Sequence, residues 1–243
     1  MRLLLISNST NHGEAYLGWP RKHIQDFMQN SGVKDILFIP YAGVGLSTEG
    51  DQVSFDRYEA RVQSVFEELG LNIYSIHKQP NPVSAVREAK AIAVGGGNTF
   101  YLVYMLHKLG LMQEMKQRVL DGVHYMGWSA GSNVACPSLR TTNDMPIIEP
   151  ASFDCMNLIP FQINPHYLDA NPEGHGGETR QQRIEEFLIA NQAITVAGLR
   201  EATYLLLEDG HLSLGGSRPM RVFQFGKEPQ EYQPGEDIGF LLK

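Results

Sequence analysis

Seven short apolar runs, at residues 3–7, 36–40, 72–76, 91–94, 123–127, 161–164 and 194–198, are separated by segments with helical patterning. Strands covered by helices on both faces read as continuous apolar runs, because neither face meets water. The pattern therefore predicts an α/β fold on a mostly parallel sheet. Between the second and third runs, Tyr58, Val62, Val65, Phe66 and Leu69 recur at helical spacing and read as the core stripe of a helix. Near the C-terminus, Tyr204-Leu205-Leu206-Leu207 and His211-Leu212-Ser213-Leu214 flank Asp209-Gly210, which is hairpin sequence with a two-residue turn. Antiparallel strands are thus expected to finish one sheet edge. The 243 residues contain no internal repeat, low-complexity tract or Pro/Ser linker, so one domain spanning 1–243 is expected.

Charge and cysteine content narrow the function. A net charge of −7 and no basic stripe argue against a nucleic-acid partner, since that binding depends on clustered Lys and Arg. The apolar start Leu3-Leu4-Leu5-Ile6 gives way at once to Ser7-Asn8-Ser9-Thr10, too short for a signal h-region or a membrane span. A cytoplasmic location with no membrane partner is expected. Cys136 and Cys155 form neither a disulfide framework nor a metal set, and are expected to be buried and inert.

The chemistry centres on Gly127-Trp128-Ser129-Ala130-Gly131. This G-x-S-x-G follows an apolar run where a strand would turn into a helix, the context of a nucleophile elbow; the competing reading is a Gly-rich turn with a capping serine. A serine hydroxyl is a weak nucleophile without a base and a group to orient that base. Among eight histidines, His166 ends the run Phe161-Gln162-Ile163-Asn164-Pro165 and so stands at the carboxyl end of a strand, where open α/β sheets place their sites. Two acids compete for the third position: Asp144, whose bland reading is a turn cap, and Glu201, whose bland reading is an exposed loop charge. Position at a strand's carboxyl end favours Glu201. Gly95-Gly96-Gly97-Asn98-Thr99-Phe100 opens a helix directly after a strand, so its N–H groups are available. The N–H groups of Gly97 and Ala130 are the expected oxyanion pair, with Asn98 beside them as a substrate-binding candidate. A phosphate cradle is the rival reading, but the P-loop Lys-Ser/Thr ending is missing.

Thr179-Arg180-Gln181-Gln182 has capping-box form, so a helix is expected to begin there. Yet Arg180 and Arg183 fall in its first turn, where the helix dipole disfavours a cation by about 0.3–1 kcal/mol. Local rules are often broken at sites, which makes Arg180, then Arg183, candidates for binding a substrate carboxylate. The alternative is a solvated helix start. Glu173, His175 and Glu178 match no metal-ligand spacing, and no metal or cofactor is expected.

Taken together, these blocks resemble peptidase E, the α-aspartyl dipeptidase family of serine peptidases. The resemblance adds Phe38-Ile39-Pro40-Tyr41-Ala42-Gly43-Val44, Arg140-Thr141-Thr142-Asn143-Asp144-Met145-Pro146 and Pro172-Glu173-Gly174-His175, and fades beyond about residue 203. It implies a flavodoxin-like fold related to class I glutamine amidotransferases, with serine in place of cysteine. It also implies removal of N-terminal aspartate from dipeptides, with Ser129 as nucleophile, His166 as base and either Asp144 or Glu201 as the acid. Glu201 sits in Leu199-Arg200-Glu201-Ala202, where the family usually shows Pro and Gly around the acid. A homodimer is implied too, with the segment near His175 shaping the neighbouring site. A cyanophycinase-like β-aspartyl peptidase and a non-catalytic binding domain on the same scaffold are the alternatives.

Overall fold

The apolar runs assemble into two sheets rather than one. The computed structural model describes all residues except Asn30, Pro172, Glu173 and His175. Its strands are β1 (Leu3–Ile6), β2 (Asp35–Ile39), β3 (Asn72–Ser75), β4 (Ala91–Val94), β5 (His124–Trp128), β6 (Gln162–Pro165), β7 (Thr195–Leu199), β8 (Thr203–Glu208), β9 (His211–Gly216), β10 (Met220–Gln224) and β11 (Gln230–Tyr232). The larger sheet runs β3-β2-β4-β5-β1-β8-β9, with β1 to β5 parallel and β8 and β9 antiparallel. The hairpin between β8 and β9 turns through Asp209 and Gly210, at φ 49° and 79°, the positive dihedrals that a two-residue turn demands.

Burial follows the strand pleat. Leu3, Leu5, Leu37, Ile39, Ile92 and Val94 enter one core with the helices α3 (Pro82–Glu88), α4 (Thr99–Lys108) and α5 (Leu111–Leu120). Their neighbours Leu4, Ile6, Ile36, Phe38, Ala91 and Ala93 enter the opposite core with α1 (Arg21–Gln29) and α2 (Asp51–Glu68). Because successive side chains point to opposite faces, apolar runs without alternation are what a sheet covered on both sides requires. The helix after β2 lies on one face and the helix after β4 on the other, although β2 and β4 are paired. Loops diverging at such a point leave a crevice beyond the strand ends.

The runs at 161–164 and 194–198, expected to join the main sheet, instead form a second sheet in the order β11-β10-β7-β6. The free edge of β1 is taken by β8, so β6 pairs with β7 instead. Periodicity identifies a strand but not the edge it joins. Ile163, Ala197, Leu199 and Val222 extend the first core, while Val196 and Phe223 pack with Ile184 and Leu188 of α7 (Arg180–Ala190). Among the described residues, no helix is long and apolar enough to cross a membrane.

Both cysteines are free and buried. Burial pushes the Cys136 thiol up to about 12 and the Cys155 thiol well above its ordinary value, and a protonated buried thiol is a poor nucleophile. A thiol reagent applied to the native protein should therefore release almost no chromophore and leave activity intact. Fast inactivation would show that a cysteine takes part in the chemistry.

Candidate active site

Ser129 links β5 to the short helix α6 (Ala130–Asn133) at φ 53°, ψ −110°, a region non-glycine residues rarely adopt. Two close approaches explain the glycines around it. A Cβ on Gly131 would lie 2.1 Å from the Val94 carbonyl oxygen, and one on Gly127 would lie 2.3 Å from that of Gly131. The Ser129 N–H donates to the Ile6 carbonyl at 3.0 Å. Ser132 Oγ lies 2.7 Å from the Ile6 carbonyl oxygen and 2.9 Å from that of Gly127. The turn is thus fixed on three sides and presents the Ser129 hydroxyl beyond the sheet.

His166 immediately follows β6, and Glu201 follows β7 after one intervening residue. Because Pro165 pairs with Leu199 across these strands, the two side chains emerge together. His166 Nε2 lies 3.0 Å from Ser129 Oγ, and His166 Nδ1 lies 3.0 Å from Glu201 Oε1. Sequence reasoning assigned no role to the residue that couples the two sheets here. Ser7 Oγ, just past β1, donates to the Leu199 carbonyl at 2.8 Å and accepts the His166 N–H at 3.0 Å. Asn8 Oδ1 accepts the Ala202 N–H at 2.8 Å. Polar residues directly after an apolar run were the available signal, since that is where a strand ends.

The departure from the family pattern around Glu201 has a physical resolution. Arg200 is 8% exposed and forks onto Asp169 (2.9 Å and 2.5 Å) and Glu231 (2.8 Å and 2.8 Å), with the Pro219 carbonyl at 2.8 Å. Ala202 takes φ 61°, held there by Asn8. Paired forks of this kind fix direction as well as charge, so the loop carries Glu201 to His166 without the usual Pro and Gly. Asp144 lies elsewhere: its Oδ2 accepts from Thr99 N (2.7 Å), Thr99 Oγ1 (2.6 Å) and Thr142 Oγ1 (2.9 Å), at the start of α4. No hydrogen bond joins Asp144 to His166 among the described residues.

The glycine loop closes the other side. Gly97, at φ 135°, packs so tightly that a Cβ would meet the Ala42 carbonyl oxygen at 2.2 Å, and a Cβ on Gly96 would come within 3.0 Å of Ser129 Cβ. The N–H groups of Gly97 and Ala130 donate to no described residue. Asn98 caps α4 by accepting the Tyr101 N–H at 3.0 Å and donates to the Met145 carbonyl at 2.8 Å. A cleft of about 580 Å³ opens over Ser129 and His166, and its lining includes Asn98, Asp144 and Arg61. Arg61, which sequence reasoning missed, holds its guanidinium 4.9 Å from the centre of the Tyr16 ring. Arg180 and Arg183 line a separate cavity of about 150 Å³ that shares Asp144 with the cleft. The expected capping box forms, with Thr179 accepting from Gln182. Burial, and then Arg183 nearby, press against the Arg180 charge, while Asp144 supports it. Glu178 reaches Arg183 at 3.7 Å; Glu173 and His175 lie outside the described residues. Among the described residues one acid-histidine group, Asp56, Glu59 and His77, has metal-like spacing. Lys78 Nζ already lies 3.0 Å from Asp56 and 2.5 Å from Glu59.

The family model of peptidase family S51 matches residues 3–215 of this chain. The chain belongs to peptidase family S51. It is 47% identical to peptidase E of Nostoc sp. over 242 residues, covering all of this chain and 97% of that one. It is 43% identical to peptidase E of Escherichia coli O6:K15:H31 over 235 residues, covering 97% and 99%. In fold it matches the crystal structure of a peptidase from an acI-B1 Actinobacterium, with TM-score 0.70, 18% identity and 98% and 96% coverage. As an S51 chain it is a serine peptidase.

Proposed function

We propose that the chain hydrolyses dipeptides with N-terminal aspartate through an acyl-enzyme. Ser129 attacks the aspartyl carbonyl while His166 takes its proton through Nε2 and returns it to the leaving amine. Glu201 holds the His166 tautomer and offsets the imidazolium charge. The N–H groups of Gly97 and Ala130 receive the oxyanion, and water then releases aspartate. The single observation that carries this reading is the continuous chain Ser129 Oγ, His166 Nε2, His166 Nδ1, Glu201 Oε1, with 3.0 Å at each contact, opening on a cleft lined by glycine backbone. Both peptidase E relatives, matched over nearly their whole length, support the activity class.

An aspartyl dipeptide carries two carboxylates; Arg61 lines the cleft, and Arg180 and Arg183 line the neighbouring cavity that shares Asp144 with it. Arg180, half-buried beside Asp144, takes the aspartyl side chain in this scheme, with Arg183 supporting it; Arg61 faces the C-terminal carboxylate, and Asn98 shapes the rim between them. An uncharged side chain would leave the half-buried Arg180 with only Asp144 to offset its charge, so an acidic side chain is favoured. The enzyme works as a homodimer in the cytoplasm, without cofactor. Aspartate release from α-Asp-Leu, Asn-Leu, Glu-Leu and β-Asp-Arg tests the scheme. Cleavage of α-Asp-Leu alone, with KM raised at least about tenfold by Arg180→Ala, is the expected result. Turnover of β-Asp-Arg instead would move the chain to the β-aspartyl reading, and saturable binding without turnover would make it a binding domain.

A further inference from the structure

Beside the glycine loop, Tyr16 and Tyr58 of the cleft lining join Trp128 in a cluster of three aromatic polar groups that the mechanism above leaves unused. Tyr58, on α2, is 4% exposed and its hydroxyl donates to the Gly96 carbonyl at 2.8 Å. Trp128 Nε1 lies 3.1 Å from the Tyr58 oxygen and 3.1 Å from the Tyr16 oxygen, and the two phenols are 3.3 Å apart. The direction of this chain is fixed by chemistry. An indole nitrogen only donates and a carbonyl oxygen only accepts, so Tyr58 donates its own proton to Gly96 and accepts from Trp128, whose single N–H it shares with Tyr16. Burial raises the Tyr58 phenol to about 12 and lifts the Tyr16 phenol well above its ordinary value, so both keep their protons. The ring of Tyr58 also fills the space over Gly43 and Gly95, where added Cβ atoms would fall 2.3 Å and 2.5 Å from its atoms.

The Gly96 carbonyl and the Gly97 N–H belong to one peptide unit. That unit is planar and trans, so its oxygen and its hydrogen point in opposite directions. A donor clamped on the oxygen therefore sets where the hydrogen aims, and draws electron density from the amide so that the N–H donates more strongly. We infer that Tyr58 is a positioning residue for the oxyanion site, relaying Trp128 Nε1–H to Tyr58 Oη–H to the Gly96–Gly97 peptide and so to the developing negative charge. This rests on the proposed role of Gly97 above. The relay begins at Trp128, the residue before the nucleophile, so one segment supplies the attacking oxygen and braces the opposite wall.

The test compares Tyr58→Phe with wild type on α-Asp-Leu, and on an aminoboronic acid bearing the aspartyl side chain, whose tetrahedral adduct places an oxygen where the oxyanion would form. The relay requires kcat to fall about tenfold or more with KM within about twofold, boronate affinity to fall by the same factor as kcat/KM, and product aspartate to bind as before. The Gly97 amide 15N resonance should move upfield as its carbonyl partner is lost. A merely structural role would instead alter KM and aspartate binding together with kcat. Unchanged boronate affinity in a folded Tyr58→Phe enzyme overturns the inference. Should that variant not fold, 3-fluorotyrosine at position 58 keeps the ring and strengthens the O–H donor. Tighter boronate binding than wild type is then expected, and equal or weaker binding overturns the relay. Ser129→Ala, run alongside, separates the relay from the mechanism it serves. If it retains turnover, the mechanism itself is wrong; if it is inactive while Tyr58→Phe matches wild type, only the relay is.

Discussion

Ser129→Ala is expected to lower kcat on α-Asp-Leu by about 10⁴-fold or more, the scale seen when a triad nucleophile is removed. The nearby Ser132 hydroxyl cannot substitute, because it already bonds the Ile6 and Gly127 carbonyls. What survives should be the contribution of oxyanion donors and substrate positioning. The backbone offers an internal control. Alanine fits φ 53° no better than serine does, so Ser129→Ala should leave the melting temperature nearly unchanged. Ser129→Gly, equally inactive, should raise stability by about 0.5–1 kcal/mol by relieving the positive dihedral. Steady-state kinetics and thermal melts of the two variants check both halves. A kcat loss below about a hundredfold would place the nucleophile elsewhere.

Glu201→Gln and Asp144→Asn should separate cleanly. In the proposed mechanism the charge of Glu201 stabilises the imidazolium that forms at His166, and glutamine keeps the shape but not the charge. Loss of a buried triad acid costs about 10⁴ in kcat. Here both His166 and Glu201 are 39% exposed at the side chain, so water partly replaces the lost charge, and a fall of about 10²–10³ is expected. Asp144 accepts three hydrogen bonds at the start of α4. All three bonds fall on Oδ2, so asparagine can keep them through its amide oxygen and loses only the charge at the helix start, which should cost about 0.3–1 kcal/mol of stability while kcat stays within about tenfold. Rates and melts for both variants decide the matter; the reverse pattern would make Asp144 the acid.

The elements that were readable from sequence are those whose signal is local. The uninterrupted burial of Leu3–Ile6 and Ala91–Val94, the Asp209-Gly210 turn and the Thr179 capping box each depend on neighbours a few residues away. The glycine-bounded turn at Ser129 and the place of His166 directly after β6 were readable because both are local to strand ends. What could not be read depends on partners far apart in the chain. The second sheet arises because β8 returns to the edge of β1, some 200 residues from it. Strands β10 and β11 carry too mixed a pattern, as in Met220-Arg221-Val222-Phe223-Gln224, to announce themselves. Arg61 enters the cleft because α2 packs under the glycine loop, a contact that composition does not encode. Between Asp144 and Glu201 sequence offered only position, whereas the pairing of Pro165 with Leu199 supplies a reason for His166 and Glu201 to meet.

Ser129 stands on one sheet, while His166 and Glu201 stand together on the other, with the Ser7 hydroxyl as a pin through the joint. A seam therefore runs through the proposed triad, between Ser129 and His166 and not between His166 and Glu201. A rigid slip of about 1 Å along it would cost the attacking contact while leaving every strand paired and the His166–Glu201 contact whole. Gentle warming should then yield an intermediate that is folded but silent, with activity failing before secondary structure does. The interval between those two losses becomes a gauge of how stiffly the two sheets are joined.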